Sequence, residues 1–361
     1  MPRERLVIKV GTNVLTRENQ QLDYNAIHQI VEQTGALRQA GHKVLLVSSG
    51  AAGAGHGLAS YRHERNPLVR RQLMTAVGQP RLMQIYTDFF REFNVVTAQA
   101  LITRSDFADR VHYLNVRNVV EGLLKADIVP IVNENDVVAS EELTFGDNDY
   151  LAAAVASMIG AHRMFLLTSA DGFYLGGDPG RTQGAKLLRE AEAITEEMWD
   201  SCETALAEGG RGGMRSKLKG VEMATSFGIE TYIASGKEPN VVPRIMAGEE
   251  LGSRFLARPH RLKGYRQWLR FGAMATGRVI VDDGAAKALR NNKSLLPAGI
   301  AKVEGSFRDG DVVEIFNRAM EKIGVGLINL SSADVEAIVS GDRRPNRSEE
   351  AIHKDRLLLV G

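Results

Sequence analysis

A carboxamide between two carboxylates is the most concentrated chemical signal in this sequence. Residues 145–149 read Phe-Gly-Asp-Asn-Asp and precede an apolar, alanine-rich run that predicts a helix over residues 150–161. Polar side chains grouped at the start of a helix are typical of a binding site. Because Asp and Asn also cap helices by accepting hydrogen bonds from free backbone N–H groups, helix initiation alone is an alternative explanation.

A glycine-rich, basic segment predicts a site for phosphate. Residues 209–217 read Gly-Gly-Arg-Gly-Gly-Met-Arg-Ser-Lys and lead into a predicted helix that continues through Phe227. Free backbone N–H groups at a helix N-terminus and the helix dipole both favour a bound anion, and the basic side chains add positive charge. The alternative is a flexible basic loop on the surface.

One lysine lies inside a predicted buried strand. Lys9 is part of the apolar segment 6–10, which ends in a small, polar turn that begins at Gly11. It could be an edge-strand lysine whose charged end reaches water. It could also be a cation held where the carboxyl edge of the sheet meets a polyanionic ligand, with the Gly11 amide free for close backbone approach.

Two further predicted strands end in polar loops. Residues 48–55 (Ser-Ser-Gly-Ala-Ala-Gly-Ala-Gly) follow a strand at 43–47, and residues 133–136 (Asn-Glu-Asn-Asp) follow one at 128–132. The first loop lacks the dinucleotide-binding and P-loop spacings. It predicts either an anion cradle of backbone N–H groups and the Ser49 hydroxyl or a plain tight turn. The second loop could hydrogen-bond its own turn or bind the ammonium and carboxylate of an amino acid.

Alternating strands and helices must position these loops. Other strands are predicted at 95–103, from 163 and at 230–235, and the predicted helices include 26–40, 70–93 and 115–126. This alternation predicts an α/β fold with a mostly parallel sheet covered on both faces. After about Arg258 the pattern changes. A basic linker helix at 261–270 is followed by short strands at 278–281, 300–303, 312–316 and 323–328, which predict a small β-rich domain.

Composition excludes several classes of protein. At 361 residues the chain is long enough for two domains with separate cores. With 45 basic and 44 acidic residues, no global field attracts nucleic acid or a membrane. The single cysteine, Cys202, excludes an intramolecular disulfide and fits a reducing compartment. The N-terminus runs directly into a strand, so we expect no signal peptide and a cytoplasmic protein.

Together and in this order, the motifs resemble the bacterial glutamate 5-kinases (gamma-glutamyl kinases), which belong to the amino acid kinase family and have a C-terminal PUA domain. The resemblance covers essentially the whole chain. It rests on residues 9–12, 48–51, 133–136, 146–149, 212–214 and 217, and in the C-terminal region on residues 283–285, 294–299 and 310–311. It implies a three-layer α/β/α amino acid kinase domain at 1–258, a linker at 259–276 and a small β-rich PUA domain at 277–361.

The resemblance also implies a reaction, which is transfer of the ATP γ-phosphoryl group to the side-chain carboxylate of L-glutamate, for proline biosynthesis. The implied catalytic residues are Lys9, Lys217 and Asp149, with Asp149 orienting the two lysines. The implied substrate-binding residues are Ser49, Gly50, Ala51, Asn133, Asp136, Asp147 and Asn148. The implied nucleotide-binding residues are Lys9, Gly11, Thr168, Ser169, Arg211, Gly212, Gly213, Met214, Arg215, Ser216 and Lys217.

Two positions on the nucleotide side differ from the common family pattern: Asp is commoner at Ser169, and Thr is commoner at Arg211. The chemistry itself needs in-line positioning and charge neutralisation. No general base is expected, because a carboxylate is already ionised at neutral pH. Mg²⁺ is expected mainly on nucleotide oxygens and water, so no residue is assigned as a metal ligand.

The resemblance further implies a homo-oligomer (a dimer or tetramer), coupling to glutamyl phosphate reductase and feedback inhibition by proline. Two alternatives stay open. A kinase of the same fold could act on aspartate, acetylglutamate or a nucleoside monophosphate, although the PUA-like region and residues 133–136 argue against it. The second alternative is an RNA-binding or RNA-modifying protein, and the near-neutral net charge of the chain argues against it.

Overall fold

A computed structural model of the chain describes residues 2–56, 58, 63–138, 148–178, 180, 184–207, 213–258, 269, 275–346 and 349–359. The chain divides into a larger unit (Met1–Asp106 and Arg110–Arg261) and a smaller unit (Phe107–Asp109 and Leu262–Gly361). None of the helices in these described ranges combines the length and the apolar character that crossing a membrane requires.

An eight-stranded, mostly parallel sheet forms the centre of the larger unit. The strands of this unit are β1 (Arg5–Val10), β2 (Lys43–Ser48), β3 (Thr97–Ile102), β4 (Val129–Glu134), β5 (Arg163–Thr168), β6 (Phe173–Leu175), β7 (Lys186–Leu188), β8 (Glu190–Ala191), β9 (Glu230–Ser235) and β10 (Ser253–Phe255). The sheet order is β3-β4-β2-β1-β5-β9-β10-β8, and β6 pairs separately with β7. Neighbours in the large sheet are parallel except β9 and β10. The predicted α/β class is confirmed.

Ten helices in the described residues before 259 connect and cover these strands. They are α1 (Thr12–Leu15), α2 (Tyr24–Gln39), α3 (Ala51–Gly55), α4 (Pro67–Glu92), α5 (Arg104–Ala108), α6 (Arg110–Lys125), α7 (Asn148–Met158), α8 (Glu196–Ala207), α9 (Gly213–Ser226) and α10 (Val241–Met246). The end of α5 is assigned to the smaller unit. Two of the three longest helices have local start signals. Asp23 caps α2 and Asn66 caps α4 by accepting from backbone N–H groups of the first turn.

Alternation along β1 assigns its side chains to the two faces of the sheet. Leu6, Ile8 and Val10 pack in one buried cluster with residues of α2, α4 and α10. Because successive side chains of a strand point to opposite faces, Val7 and Lys9 face the other side, where α7 packs against β1. Since β1 lies between β2 and β5, Lys9 is not an edge-strand lysine, and its buried charge requires a partner.

A five-stranded sheet forms the smaller unit, as the predicted β-rich region requires. Its strands are β11 (Gly277–Val281), β12 (Ile300–Gly305), β13 (Val312–Phe316), β14 (Lys322–Leu327) and β15 (Leu357–Leu359), in the order β12-β11-β13-β14-β15. Among the described strands of this sheet, only β11 and β13 are parallel neighbours. The core includes Val279, Val313 and Ile315 from the sheet and Leu289 and Val335 from two helices.

Those two helices, α11 (Asp283–Arg290) and α12 (Ser332–Ser340), were absent from the sequence-based prediction. Each has a clear start signal. Asp282 accepts from the Ala285 N–H, and Ser331 forms a reciprocal capping box with Asp334. Asp and Ser are also common in turns, so these residues alone do not distinguish a helix start from a turn between strands.

Element boundaries differ from the predictions mainly at one helix. The helix predicted at 115–126 begins at Arg110. Its first turn was missed because residues 110–114 include Val, His and Tyr, which favour helix only weakly. The predicted linker helix at 261–270 lies outside the described residues, except position 269. The predicted domain limits of 258 and 277 remain a prediction.

Candidate active site

The predicted site loops meet at one edge of the sheet. The strand β1 has β2 on one side and β5 on the other, so the chain order reverses there. In open α/β sheets, ligands bind outside the carboxyl ends of the strands at such a reversal. The described loops that follow β1, β2, β4 and β5 therefore surround one place.

Lys9, Asp149 and Lys217 form a buried ion cluster at this edge. The Lys9 Nζ atom lies 2.6 Å from Asp149 Oδ1, and the Lys217 Nζ atom lies 3.0 Å from Asp149 Oδ2. Each ammonium thus takes its own carboxylate oxygen. The Asp149 side chain is fully buried, and those of Lys9 and Lys217 are only 3% and 11% exposed. One carboxylate therefore holds two cations in place, and the cluster retains a net positive charge.

Close packing of two helices produces this geometry. Asp149 lies in the first turn of α7, and Lys217 lies in the second turn of α9 with Gly220 one turn beyond it. A Cβ atom at position 220 would come within 2.9 Å of the Asp149 carbonyl oxygen. Any larger residue would therefore push α9 away from α7, and with it the Lys217 ammonium from the carboxylate.

A chain of hydrogen bonds joins side chains from four elements beside the ion cluster. The Asn148 Nδ2 atom donates to Ser49 Oγ at 2.9 Å and to Asn133 Oδ1 at 3.0 Å. The Asn133 Nδ2 atom donates to Gln79 Oε1 at 2.9 Å. Three residues predicted to bind substrate are thus in contact, together with Gln79, which the sequence analysis did not identify.

The other predicted substrate residues lie nearby in the chain. Gly50 and Ala51 follow Ser49 directly and begin the short helix α3. Asp136 lies in the loop after β4, and Asp147 lies outside the described residues. These roles stay predictions, since position alone does not test them.

Asp136 is a partly buried carboxylate beside an arginine. The Arg71 Nη2 atom is 3.3 Å from Asp136 Oδ1, and the Asp136 side chain is only 15% exposed. Burial raises the pKa of the Asp136 carboxyl group, and the Arg71 guanidinium and the Thr75 hydroxyl oppose that rise. Because burial destabilises its charged form, this carboxylate would gain from a second cation such as a substrate ammonium.

A cavity of about 580 Å³ opens on the Lys217 side of the ion cluster. The loop after β5 lines it with Thr168 and Ser169, and α9 lines it with Gly213, Met214 and Lys217. This volume is typical of a pocket for a small ligand or cofactor. Lys217 contributes a basic side chain, Phe173 and Met214 contribute apolar surface, and polar residues such as Asp171 complete the lining.

Some predicted nucleotide-binding residues do not line this cavity. The described residues Lys9, Gly11, Arg215 and Ser216 are not among those that line it. Arg215 instead pairs with Glu203 of α8 at 2.8 Å. Arg211 and Gly212 lie outside the described residues.

The expectation that the Gly11 amide is free for a ligand is wrong. Its N–H donates to the Leu167 carbonyl oxygen at 3.0 Å. The reason is that hydrogen bonding between β1 and β5 continues one residue beyond the end of β1. An N–H already used by the sheet cannot also be offered to a phosphate.

The sequence analysis missed several residues of the site. Phe173 and Tyr174 line the cavity and directly follow the polar loop after β5, so a local signal existed. Asn13 and Cys202 also line it, and burial raises the pKa of the Cys202 thiol to about 11, which keeps it protonated at neutral pH. Gln79 carried no local signal, because its partner Asn133 is far away in the chain.

Two family models match the chain. The model described as the amino acid kinase family matches residues 4–235, and the PUA domain model matches residues 277–347. A glutamate 5-kinase from Caldanaerobacter subterraneus subsp. tengcongensis is 39% identical over 364 residues, which covers 99% of this chain and 98% of the relative. A glutamate 5-kinase from Paraburkholderia phymatum is 38% identical over 367 residues, with the same two coverages.

Solved structures share the fold of the larger unit at low sequence identity. A carbamate kinase from Giardia lamblia bound to AMP-PNP superposes with a TM-score of 0.52 at 14% identity, covering 71% of this chain and 99% of its own. The isopentenyl phosphate kinase of T. acidophilum, in a product complex, gives 0.51 at 18% identity, covering 70% and 99%. These likenesses show the fold alone.

Proposed function

Because this chain belongs to the amino acid kinase family, as a glutamate 5-kinase with a C-terminal PUA domain, we infer that it phosphorylates L-glutamate with ATP. The product is L-glutamyl 5-phosphate, and the reaction is the first step of proline biosynthesis. The observation that supports this most is the position of the Lys9–Asp149–Lys217 cluster. Lys217 lines the cavity, and Asp149 directly follows Asn148 of the hydrogen-bond chain. The cluster therefore borders both the cavity and the hydrogen-bond chain.

The reaction must bring two anions together, and the lysines meet that requirement. Phosphoryl transfer passes through a loose transition state whose catalysis is mostly positioning and charge stabilisation. An ammonium has three N–H donors, so a lysine held by Asp149 can also donate to a phosphate oxygen. We propose that Lys9 and Lys217 neutralise charge on the transferred group while Asp149 keeps them in place.

Mg²⁺ is part of the proposal as a partner of ATP. Within the described ranges, no group of three or more His, Cys, Asp or Glu side chains is placed to hold a metal ion. Asp149 is already occupied by two lysines. We propose that the ion is bound mainly by nucleotide phosphates and water, where it would neutralise phosphate charge.

The acceptor distinguishes this function from that of other kinases with the same fold. We expect ATP consumption, followed in a coupled assay, to depend on L-glutamate, with little turnover on aspartate or acetylglutamate. Mass spectrometry of the product, or its trapping by hydroxylamine as the hydroxamate, would identify the acyl phosphate. Turnover on another acceptor with none on glutamate would refute the assignment.

Asp136 should govern glutamate affinity rather than ATP affinity. Its carboxylate can pair with the substrate ammonium, and a hydrogen bond between charged groups contributes roughly 1.5–3 kcal/mol. Asp136→Ala should therefore raise the KM for glutamate about ten- to a hundredfold, with a smaller effect on the KM for ATP. Asp127→Ala, at a carboxylate that is 69% exposed, is the control. Equal rises in both Michaelis constants would indicate a structural role.

Family membership supports three further proposals about the protein in its cell. We propose that it is a cytoplasmic dimer or tetramer, that proline inhibits it, and that glutamyl phosphate reductase consumes its product. Each is open to a direct measurement: the mass in solution, the rate with added proline, and the transfer of product between the two enzymes.

The smaller unit should be dispensable for the chemical step. All the described residues that form the ion cluster and the hydrogen-bond chain or line the cavity belong to the larger unit, and this unit has its own buried core. We expect a chain that ends near residue 270 to fold and to phosphorylate glutamate, because a unit of this size can bury enough apolar surface. The truncated and full chains should be compared in kcat, proline inhibition and mass in solution. A folded truncation without activity would show that the smaller unit contributes to the active site.

A further inference from the structure

The hydrogen-bond chain around Asn133 has a fixed direction. Side-chain amides can usually be assigned in two orientations, because their oxygen and nitrogen atoms are alike in shape. The backbone N–H of Glu134 can only donate, and it lies 2.9 Å from one amide atom of Asn133. That atom must therefore be the oxygen, so a backbone group settles the orientation of Asn133.

This orientation determines the other bonds of the chain. The Asn133 oxygen is also 3.0 Å from an amide atom of Asn148, which must then be the donor Nδ2. The Asn133 nitrogen is 2.9 Å from Gln79, so the facing atom of Gln79 must be the acceptor Oε1. The Asn148 Nδ2 atom also donates to Ser49 Oγ, which makes Ser49 an acceptor within the chain.

Two groups at the substrate end remain for a ligand. The Ser49 oxygen accepts from Asn148, so its hydroxyl hydrogen can donate outward. The Asn148 Oδ1 atom is buried and has no hydrogen-bond partner among the described residues, which costs about 1–3 kcal/mol until a donor reaches it. The chain thus presents one donor and one acceptor. A ligand carboxylate can accept from the Ser49 hydroxyl, and a ligand ammonium can donate to Asn148 Oδ1. An amino acid carries both of these groups.

Gln79 is the last acceptor of the hydrogen-bond chain, at the end opposite the substrate. Its side chain is buried on α4, with 6% of the residue exposed. At the preceding residue, Gly78, a Cβ atom would lie 1.9 Å from the Ala51 carbonyl oxygen, so α4 touches the backbone of α3 there. The helix therefore holds Gln79 at a fixed distance from the loop that contains Ser49.

We propose that Gln79 is a positioning residue for the amino acid substrate. Gln79 accepts a hydrogen bond from Asn133 Nδ2 and thereby keeps the Asn133 oxygen hydrogen-bonded to Asn148 Nδ2. With its Nδ2 atom held in this way, Asn148 directs its oxygen toward the ligand, and the Ser49 hydroxyl hydrogen points there too. Without that acceptor, Asn133 Nδ2 would be a buried donor with no partner and would shift toward another one. The proposal rests on the proposed function, because it takes glutamate as the ligand.

The first test replaces the amide of Gln79 with an apolar chain of similar length. Gln79→Met should raise the KM for glutamate about tenfold, the effect of one buried donor left without an acceptor, and leave the KM for ATP within about twofold. Gln84→Met makes the same chemical change at an exposed position of the same helix and should change neither constant. Equal rises in both constants for Gln79→Met would overturn the proposal.

A second variant keeps the proposal testable if Gln79→Met does not fold. Gln79→Glu retains an acceptor oxygen for Asn133, so its KM for glutamate should stay within about threefold of the wild-type value. A tenfold rise in this variant would contradict the role of the acceptor. Circular dichroism and thermal unfolding of each variant establish that the kinetic comparison is made between folded proteins.

A competitive inhibitor without the ammonium separates positioning from a general packing defect. Glutarate has both carboxylates of glutamate but no ammonium. In Gln79→Met its Ki should rise less than the KM for glutamate, because only the contact with Ser49 is affected. An equal rise for the two ligands would contradict the inference about Asn148. Failure of the proposed function can be distinguished from failure of this proposal, because in the first case the wild-type protein itself would not turn over glutamate.

Discussion

Lys217→Ala should lower the kcat for glutamate phosphorylation by at least about a hundredfold, the scale for loss of one preorganised charge-stabilising donor. Lys9→Ala should have an effect of the same size. Both ammonium groups are buried and held on one carboxylate, so neither must reorganise when negative charge shifts in the transition state. Water that entered the vacated space would restore only part of this stabilisation, because its dipoles are not fixed in advance.

Lys219→Ala provides the matched control for these variants. Lys219 lies on the same helix as Lys217 but is exposed, so its removal changes the net charge equally without touching the cluster. Its kcat should remain close to that of the wild type. Initial rates at saturating glutamate and ATP measure the difference. A folded Lys217→Ala protein with normal turnover would remove Lys217 from the proposed chemistry.

The sequence predicted the six longer strands of the larger unit, β1 to β5 and β9, because buried parallel strands are continuous apolar runs. It did not predict β6, β7, β8 and β10, which have only two or three residues each. In the larger unit the strand at residues 230–235 has the predicted bounds, and in the smaller unit the strand at residues 312–316 does too. The polar ends of the strands in the larger unit also indicated where ligands could bind, since loops at the carboxyl ends of parallel strands meet at one edge. This rule needs only the order of elements along the chain.

The contacts within the site could not be predicted from the sequence in the same way. Lys9, Asp149 and Lys217 are far apart in the chain, and their pairing depends on β1 lying in the middle of the sheet with α7 packed over it. An apolar strand with one lysine fits an edge strand equally well. Only the strand order excludes that explanation. The same limit applies to Gln79, whose role follows from a contact with Asn133.

The smaller unit shows a different limit. Its strands were predicted from short apolar runs, but α11 and α12 were not. Both helices are short, and both begin at residues that are equally typical of turns. In α12, the capping box between Ser331 and Asp334 was a usable sequence signal. The choice between a turn and a helix start depended on Val335, which packs into the core only once the sheet has formed.

Asp149→Asn should combine a large loss of stability with a large loss of activity. The substitution leaves two buried ammonium groups without a carboxylate, and removal of one partner from a buried ion cluster typically costs about 3–5 kcal/mol of the free energy of unfolding. Chemical denaturation should show this as a lower midpoint. The kcat should also fall at least about a hundredfold, because repulsion moves Lys9 and Lys217 away from the positions at which they serve the reaction.

A triple variant distinguishes the two effects of Asp149. Lys9→Met, Asp149→Leu and Lys217→Met together replace the ions by apolar side chains with a similar heavy-atom skeleton. Such replacements of buried ion pairs are often neutral or stabilising, so the free energy of unfolding should return to the wild-type value or exceed it. The kcat should remain at the level of the lysine variants. Recovery of stability without activity would mean that the cluster is kept at a cost in stability because the reaction needs its charge. If activity returned together with stability, the three residues would be structural, and the cation that neutralises the phosphoryl group would have to be sought elsewhere.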